Sequence, residues 1–150
     1  MGKNTIVRNK KAYFEYEILE KVEAGISLLG TEVKSLRAGK VKVVDAFCKI
    51  TDDFELEVHH LHISPYQFGN RENHEPDRIK KLLMHYHEIK RLLTKIKTKG
   101  LTLVVLSMYF KRNWIKVELG LGRGKKLHDK RATLKEKEMA RDINRVLKDY

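Results

Sequence analysis

Between Phe14 and Leu28 the even positions are mostly apolar: Phe14, Tyr16, Ile18, Val22, Ala24, Ile26 and Leu28, with Glu20 as the exception. The odd positions are mostly polar, with Glu15, Glu17, Lys21, Glu23 and Ser27. A period of two predicts a long, half-buried strand or a bent pair of strands, with Gly25 as the kink or bulge. Gly30-Thr31 interrupts it. Thr31 is placed to cap a short helix over Glu32 to Ala38, with Val33 and Leu36 on its buried face and Gly39 as its stop. Two strands follow, Ala46 to Thr51 and Glu55 to Ile63, joined by the Asp52-Asp53 turn. Pro65, Gly69, Asn70 and Asn73 mark a loop from Ser64 to Glu75. After Pro76, the residues Ile79, Leu82, Leu83, Tyr86, Ile89, Leu93 and Ile96 recur at three and four. That spacing predicts two helices, divided around Met84 to His87 and ended by Gly100. Leu101 to Phe110 is apolar on both faces, as in a central buried strand. Arg112-Asn113 reads as a turn. Ile115, Val117, Leu119 and Leu121 then alternate with Lys116, Glu118, Gly120 and Gly122, a last strand with one side facing out.

These elements predict a mainly β fold: a small antiparallel barrel of the oligonucleotide-binding (OB) type, with about three flanking helices and a basic C-terminal tail. Residues 1–124 form the barrel domain and residues 125–150 the tail. The stripe of Leu134, Met139, Ile143, Val146 and Leu147 is too thin to support a core, so the tail is expected to be disordered when free and to order on binding. No internal repeat is present. A fold analogy of this kind carries no function by itself.

Charge narrows the partner. The 150 residues carry 32 Lys and Arg against 20 Asp and Glu, a net +12. Seven of those twelve positive charges lie between Lys111 and the C-terminus, where 13 basic residues meet 6 acidic ones. Concentrated basicity favours a polyanion-binding surface, with nucleic acid the first candidate. The run Gly124-Lys125-Lys126-Leu127-His128-Asp129-Lys130-Arg131 stands where the folded body hands over to the tail. Five of its eight side chains carry positive charge or titrate near neutrality. Cys48 is the single cysteine, so no intrachain disulfide forms and a reducing compartment fits. With no signal-like apolar run and no spanning segment, a cytoplasmic protein without membrane association is expected.

Catalytic and cofactor motifs fail on spacing. A phosphate-binding loop needs a glycine five positions before a Gly-Lys-Ser/Thr, but Leu119 stands five before Gly124 and Lys126 replaces the hydroxyl residue. The dinucleotide pattern fails because Lys125 takes the third glycine position. Gly120 and Gly122 instead indicate a strand whose backbone is closely approached. His60 and His62 share a strand face, but no Cys or carboxylate set at ligand spacing completes a metal site, and His85 and His87 point different ways. Glu15, Glu17 and Glu20 suit a solvated strand face. Glu23 is different in kind: a lone carboxylate beside a basic RNA surface accepts hydrogen bonds from base amino groups or ribose hydroxyls, or orients a lysine. Most aromatics read as core. Tyr66, Phe68 and Trp114 lie near loops, where stacking on bases contributes roughly 1–3 kcal/mol per base.

Several motifs together carry a family resemblance. They are Asn9-Lys10-Lys11-Ala12, Glu23-Ala24-Gly25-Ile26, the run Gly30 to Lys40, Asn73 to Arg78 with Lys81-Leu82-Leu83, and Gly124 to Arg131. Over about Ile6 to Leu147 the chain resembles the SmpB (small protein B) family. The resemblance implies an OB-type body that binds the tRNA-like domain of transfer-messenger RNA and takes it into a stalled ribosome. It implies one monomeric copy per RNA, with the tail becoming helical in the empty messenger channel against small-subunit ribosomal RNA. The family's RNA-contacting carboxylate matches Glu23, its helix leucine Leu83 and its last-strand lysine Lys116. Lys34, Arg37, Lys40, Arg78, Lys125 and Lys126 complete the implied RNA-binding set. His128, Asp129, Lys130 and Arg131 match the decoding-region cluster. No catalytic residue, metal or cofactor is implied.

Two other classes compete. A structural ribosomal protein or generic OB-fold RNA-binding protein would share the composition but not the Glu32 to Lys40 and Gly124 to Arg131 motifs. A nuclease using a strand carboxylate and a lysine would cleave RNA in a manner abolished by Glu23→Gln.

Overall fold

The computed structural model describes residues 4–69, 73–125, 131 and 134–141. Nine strands and three helices of the body run in the order β1 (Asn4–Arg8), α1 (Lys10–Glu15), β2 (Tyr16–Ile26), α2 (Gly30–Arg37), β3 (Val41–Lys42), β4 (Phe47–Ile50), β5 (Leu56–His59), β6 (His62–Ile63), β7 (Lys80–Leu83), α3 (Tyr86–Lys99), β8 (Thr102–Lys111) and β9 (Trp114–Gly124), among the described residues. Residues 134–141 are helical. The fold is mainly β. Antiparallel pairing runs β8–β4–β5–β7–β2–β9 and returns to β8, so the sheet closes on itself in a ring, with β1 added along β8. A separate pair, β3–β6, lies beside it. Inside, Leu56, Val58, Leu82, Leu103, Val105, Met108, Val117 and Leu119 form one apolar core with Leu36 of α2 and Ile89 and Leu92 of α3.

The long alternation after Phe14 is a strand from Tyr16 onward. Phe14 belongs instead to α1, which Asn9 nucleates: its Oδ1 accepts the Ala12 N–H at 3.1 Å. The Asn9 amide also donates to Val105 O and Val43 O at 3.0 and 3.2 Å, fastening the helix to the sheet. Ala12 packs on Val104 and Leu106 over the outer face of the sheet. This explains Gly120, expected to face out and in fact buried: a Cβ there would stand 2.8 Å from Leu106 Cδ1. The bulge in β2 falls between Ile18 and Glu20, not at Gly25. Residues 60–61 split the single strand expected over Glu55 to Ile63, with His60 at φ 56°.

The largest departure lies after Pro76. The stretch expected to open as a helix is β7, and only Tyr86 to Lys99 is helical. Leu83 is therefore a strand residue. Lys80 sits in the inward row with Leu82, and a lysine at an inward position hides the period of two. Gly100, at φ 63°, ends α3 as expected.

Lys80 is tolerated inside because the interior around it is polar. Its Nζ donates to Leu61 O at 2.7 Å and Arg78 O at 2.8 Å, and lies 3.9 Å from Glu32 Oε2. Burial pushes its pKa down, and the Glu32 charge opposes that shift. Glu32 is itself fully buried. Its carboxylate accepts from Leu29 N at 2.7 Å, which closes the first turn of α2, and from Arg78 Nη2 at 2.6 Å and Nε at 3.2 Å. Thr31 does not cap the helix; the N-cap is Leu29. The Thr31 hydroxyl meets His74 Nδ1 at 2.9 Å while His74 Nε2 donates to Ile63 O at 2.8 Å. In the neutral imidazole a ring nitrogen that donates to a carbonyl leaves the other as acceptor, and Thr31 is then the donor.

Removing one member of a buried ion pair strands the other, at about 3–5 kcal/mol. Glu32→Ala is therefore expected to lower the urea midpoint by a loss of that size with an unchanged slope. A loss below about 1 kcal/mol would show that α2 is held by packing alone.

Candidate nucleic-acid interface

The outer face of β2, β9 and β8 gathers the polar residues of the strand alternation. Cross-strand register sets Glu23 opposite Glu118 and Gly25 opposite Lys116, and Lys116 opposite Tyr109. Two like charges face each other across β2 and β9, which is unfavourable unless compensated. Glu23 is compensated by its neighbours. The Tyr109 hydroxyl donates to Glu23 Oε2, and Lys111 Nζ lies 3.2 Å from Oε1. Tyr109 is only 2% exposed. Its hydrogen bond holds the Glu23 carboxyl below its usual pKa, assisted by Lys111 and by the charge of Lys116. Burial, then the Glu23 hydrogen bond, raise the Tyr109 phenol.

Next to this triad an open cleft of about 830 Å³ runs from α2 to the β8–β9 turn. Arg37, Arg112 and Lys116 bring positive charge to its walls, and Leu83, Phe110 and Trp114 bring apolar surface. Leu83 is 51% exposed and Trp114 70%. Gly25 is what allows Leu83 to stand there: a Cβ on Gly25 would lie 3.3 Å from Leu83 Cβ. Arg112 holds φ 58° at the hairpin tip, a conformation rare for a residue with a Cβ. An exposed indole and leucine between cations match the two needs of RNA binding, stacking faces and phosphate partners.

Of the residues expected in an RNA site, the structure thus brings Arg37, Leu83 and Lys116 to one cleft and Glu23 to its flank. Lys34 lies elsewhere, its Nζ 5.4 Å from the centroid of the Tyr66 ring. Lys40 is exposed just past α2. Arg78 directs its guanidinium to Glu32, with a further bond to Ser27 O at 3.3 Å. Lys125 closes the body by donating its backbone N–H to Glu15 O at 2.8 Å. Arg131 is exposed. Lys126, His128, Asp129 and Lys130 lie outside the described residues. Tyr109, Lys111 and Arg112 were not singled out from the sequence. The alternation of β8 and β9 was their one signal, masked by the apolar run around Tyr109.

His85 and His87, expected to point different ways, stack with ring centroids 5.7 Å apart, and His60 and His62 line one cavity with Asp45 and Asp77. His59 Nε2 pairs with Glu57 at 2.9 Å and His62 Nδ1 with Asp77 at 3.0 Å. Among the described residues no group of three His, Cys, Asp or Glu could hold a metal ion, and no helix is long and apolar enough to cross a membrane.

The model of a protein family described as SmpB protein matches residues 6–149. The chain belongs to the SmpB family. Among its relatives is the SsrA-binding protein of Syntrophotalea carbinolica, 56% identical over 149 residues that cover 99% of both chains. That of Carboxydothermus hydrogenoformans is 54% identical over 143 residues, 95% of each chain. A chain in a solved structure described as "tmRNA-SmpB: a journey to the center of the bacterial ribosome" superposes with a TM-score of 0.67 at 53% identity, over 81% of this chain and 85% of the other.

In this SmpB-family chain Glu23 is a structural acceptor as well as a surface carboxylate. Glu23→Ala removes one charged acceptor of the Tyr109 hydroxyl, and the expected loss is about 1–3 kcal/mol. A carboxyl whose pKa is lowered by folding stabilises the fold above its unfolded pKa and stops doing so as pH falls through the folded value. The stability gap between wild type and Glu23→Gln should therefore be full at pH 7 and should close below about pH 4. Denaturant melts at both pH values check this. A gap that is constant with pH would mean the charge of Glu23 contributes nothing.

Proposed function

We propose that this chain is an RNA-binding adaptor of trans-translation, which binds the tRNA-like domain of transfer-messenger RNA and delivers it to stalled ribosomes. The observation that carries this reading is the kinship, over 99% of both chains, with an SsrA-binding protein. The cleft supports it chemically. Arg37, Arg112 and Lys116 suit phosphates, Trp114 and Leu83 suit unstacked bases, and Glu23 suits a base amino group or ribose hydroxyl. Recognition of this kind needs no catalytic group, so peptide transfer and GTP hydrolysis belong to the partners, and the chain acts in the cytoplasm as one copy per RNA.

The closed ring of strands is read as an OB-type barrel, with residues 1–124 as the RNA-binding body. Residues 125–150 are the ribosome-directed tail. His128, Asp129, Lys130 and Arg131 meet the decoding region, and the tail orders there in the empty messenger channel against small-subunit ribosomal RNA. The cost of ordering is offset by phosphate contacts made only on binding. Lys34 and Lys40 add positive charge on the body, Arg78 being paired with Glu32, and Lys125 and Lys126 add it at the start of the tail sequence. Residues 134–141 are already helical in the free chain, and their exposed Leu134 and Met139 mark an apolar stripe that suits that partner.

Two measurements test the division of labour. A chain stopped after Lys126 is expected to keep its thermal stability and its affinity for transfer-messenger RNA, yet to fail in tagging on stalled ribosomes; full tagging without the tail overturns the scheme. In a salt titration, Lys116→Ala is expected to reduce the slope of log affinity against log salt by just under about one unit, the signature of one lost phosphate contact. An unchanged slope removes Lys116 from the phosphate contacts. Co-purification with free ribosomal subunits in place of transfer-messenger RNA would favour a structural ribosomal protein.

A further inference from the structure

The apolar wall of the cleft continues beyond Leu83. Leu83 also lines a second cavity of about 250 Å³, with Phe54, Lys81, Met84, Tyr86 and Ile89. Phe54, from the β4–β5 turn, meets Tyr86, the first residue of α3, edge to face with ring centroids 5.3 Å apart. Lys90, one turn along α3, holds its Nζ 4.9 Å from the Tyr86 centroid and 5.5 Å from that of Phe54. Cation–π attraction therefore fixes a long, mobile lysine at the mouth of an aromatic pair. At the rim Lys81 is paired with Glu55 at 3.3 Å.

Two features set this pair apart from ordinary packing. Tyr86 is 55% exposed although an apolar cavity lies beside it. Phe54 holds φ 60°, a left-handed conformation that is an outlier for a bulky residue and persists only where the surroundings impose it. Strain of this kind concentrates at binding sites. Phe54 packs against the core, while the Tyr86 ring stays exposed beside the cavity.

We propose that this cavity is a base-stacking subsite, in which one unpaired nucleobase of the bound RNA sits on Tyr86 against Leu83, with its phosphate beside Lys90. The inference rests on the RNA-binding reading above and extends it to a second cavity that Leu83 also lines. Continuity and charge select the occupant. Leu83 lines both cavities, so a strand following the first cleft meets the second next. The walls combine aromatic faces with a cation, the pairing that single-stranded nucleic acid uses.

The test titrates the full chain with the transcribed tRNA-like domain of transfer-messenger RNA. Tyr86→Ala is expected to weaken binding about 10-fold, the effect of one lost stack. The salt slope should be unchanged, because stacking releases no counterions. Tyr86→Phe should bind as wild type, since the ring face is kept. Lys90→Gln should weaken binding and reduce the slope by just under about one unit. Thermal melts of each variant accompany the titration. Wild-type affinity in Tyr86→Ala and Lys90→Gln, or a loss that only follows a loss of stability, overturns the subsite. A wild-type chain that does not bind this RNA overturns the parent reading instead.

Discussion

A carboxylate with no exposure to water has to be neutralised by groups that come to it, and at Glu32 those groups come from a distant part of the chain. Arg78 approaches from the segment that leads into β7 and Lys80 from the first position of β7, and the Leu29 N–H comes from the helix start. The consequence is geometric. Glu32 belongs to α2, which carries Arg37; Lys80 belongs to β7, which carries Leu83. Both of those side chains line the cleft. The ionic contact therefore fixes the distance between one wall and the other. Packing alone would tolerate sliding between a helix and a strand, but charge pairs with bidentate geometry do not. His74, bonded to Thr31 and to Ile63 O, adds a second tie between the same two segments.

This arrangement gives the family's motifs a physical meaning different from the one their basic composition suggests. Asn9-Lys10-Lys11-Ala12 is the cap and docking point of α1. Gly30 to Lys40 and Asn73 to Arg78 are the two halves of one buried network. Their sequence is constrained because buried polar groups need specific partners. Gly25 serves Leu83, and Gly120 serves Leu106. What makes the sequence identifiable is thus in large part what assembles the scaffold. Several of the side chains that face the cleft, Trp114 and Arg112 among them, lie outside those motifs.

The same contrast explains which parts of the fold were legible. Strands β8 and β9, helix α2 and most of α3 stand where their periods put them, but not every face does: Gly120 and Gly122 are buried, and in α2 Leu36 is buried with Glu32 and Ser35 in place of Val33. β7 follows no simple period, because Lys80 takes a core position that no pattern rule allows to a lysine. Only the three-dimensional supply of carbonyls and Glu32 makes it tolerable. α1 is six residues long with a single buried position, Ala12, so it carries no amphipathic signal, and its only sequence mark is the cap. By alternation the candidate site was legible only in Glu23 and Lys116; Leu83 was expected on a helix, and the family resemblance alone brought it to the site. Tyr109 was not legible, because a buried aromatic in an apolar run gives no hint that its hydroxyl reaches the surface to hold Glu23.

That hidden hydroxyl also explains how a negative charge persists in a basic groove. Left alone, Glu23 would face Glu118 and repel phosphate. The Tyr109 hydrogen bond and Lys111 hold its carboxylate in one place and favour its charged form. A fixed anion flanked by Lys111 and Lys116 divides the surface by chemistry. In the RNA-binding role proposed above, phosphates would be drawn to the lysines and turned away from the carboxylate, while hydroxyl and amino donors would be drawn to it. A uniformly basic groove would hold any polyanion in any register. One placed carboxylate, costly unless a buried tyrosine supports it, converts attraction into orientation.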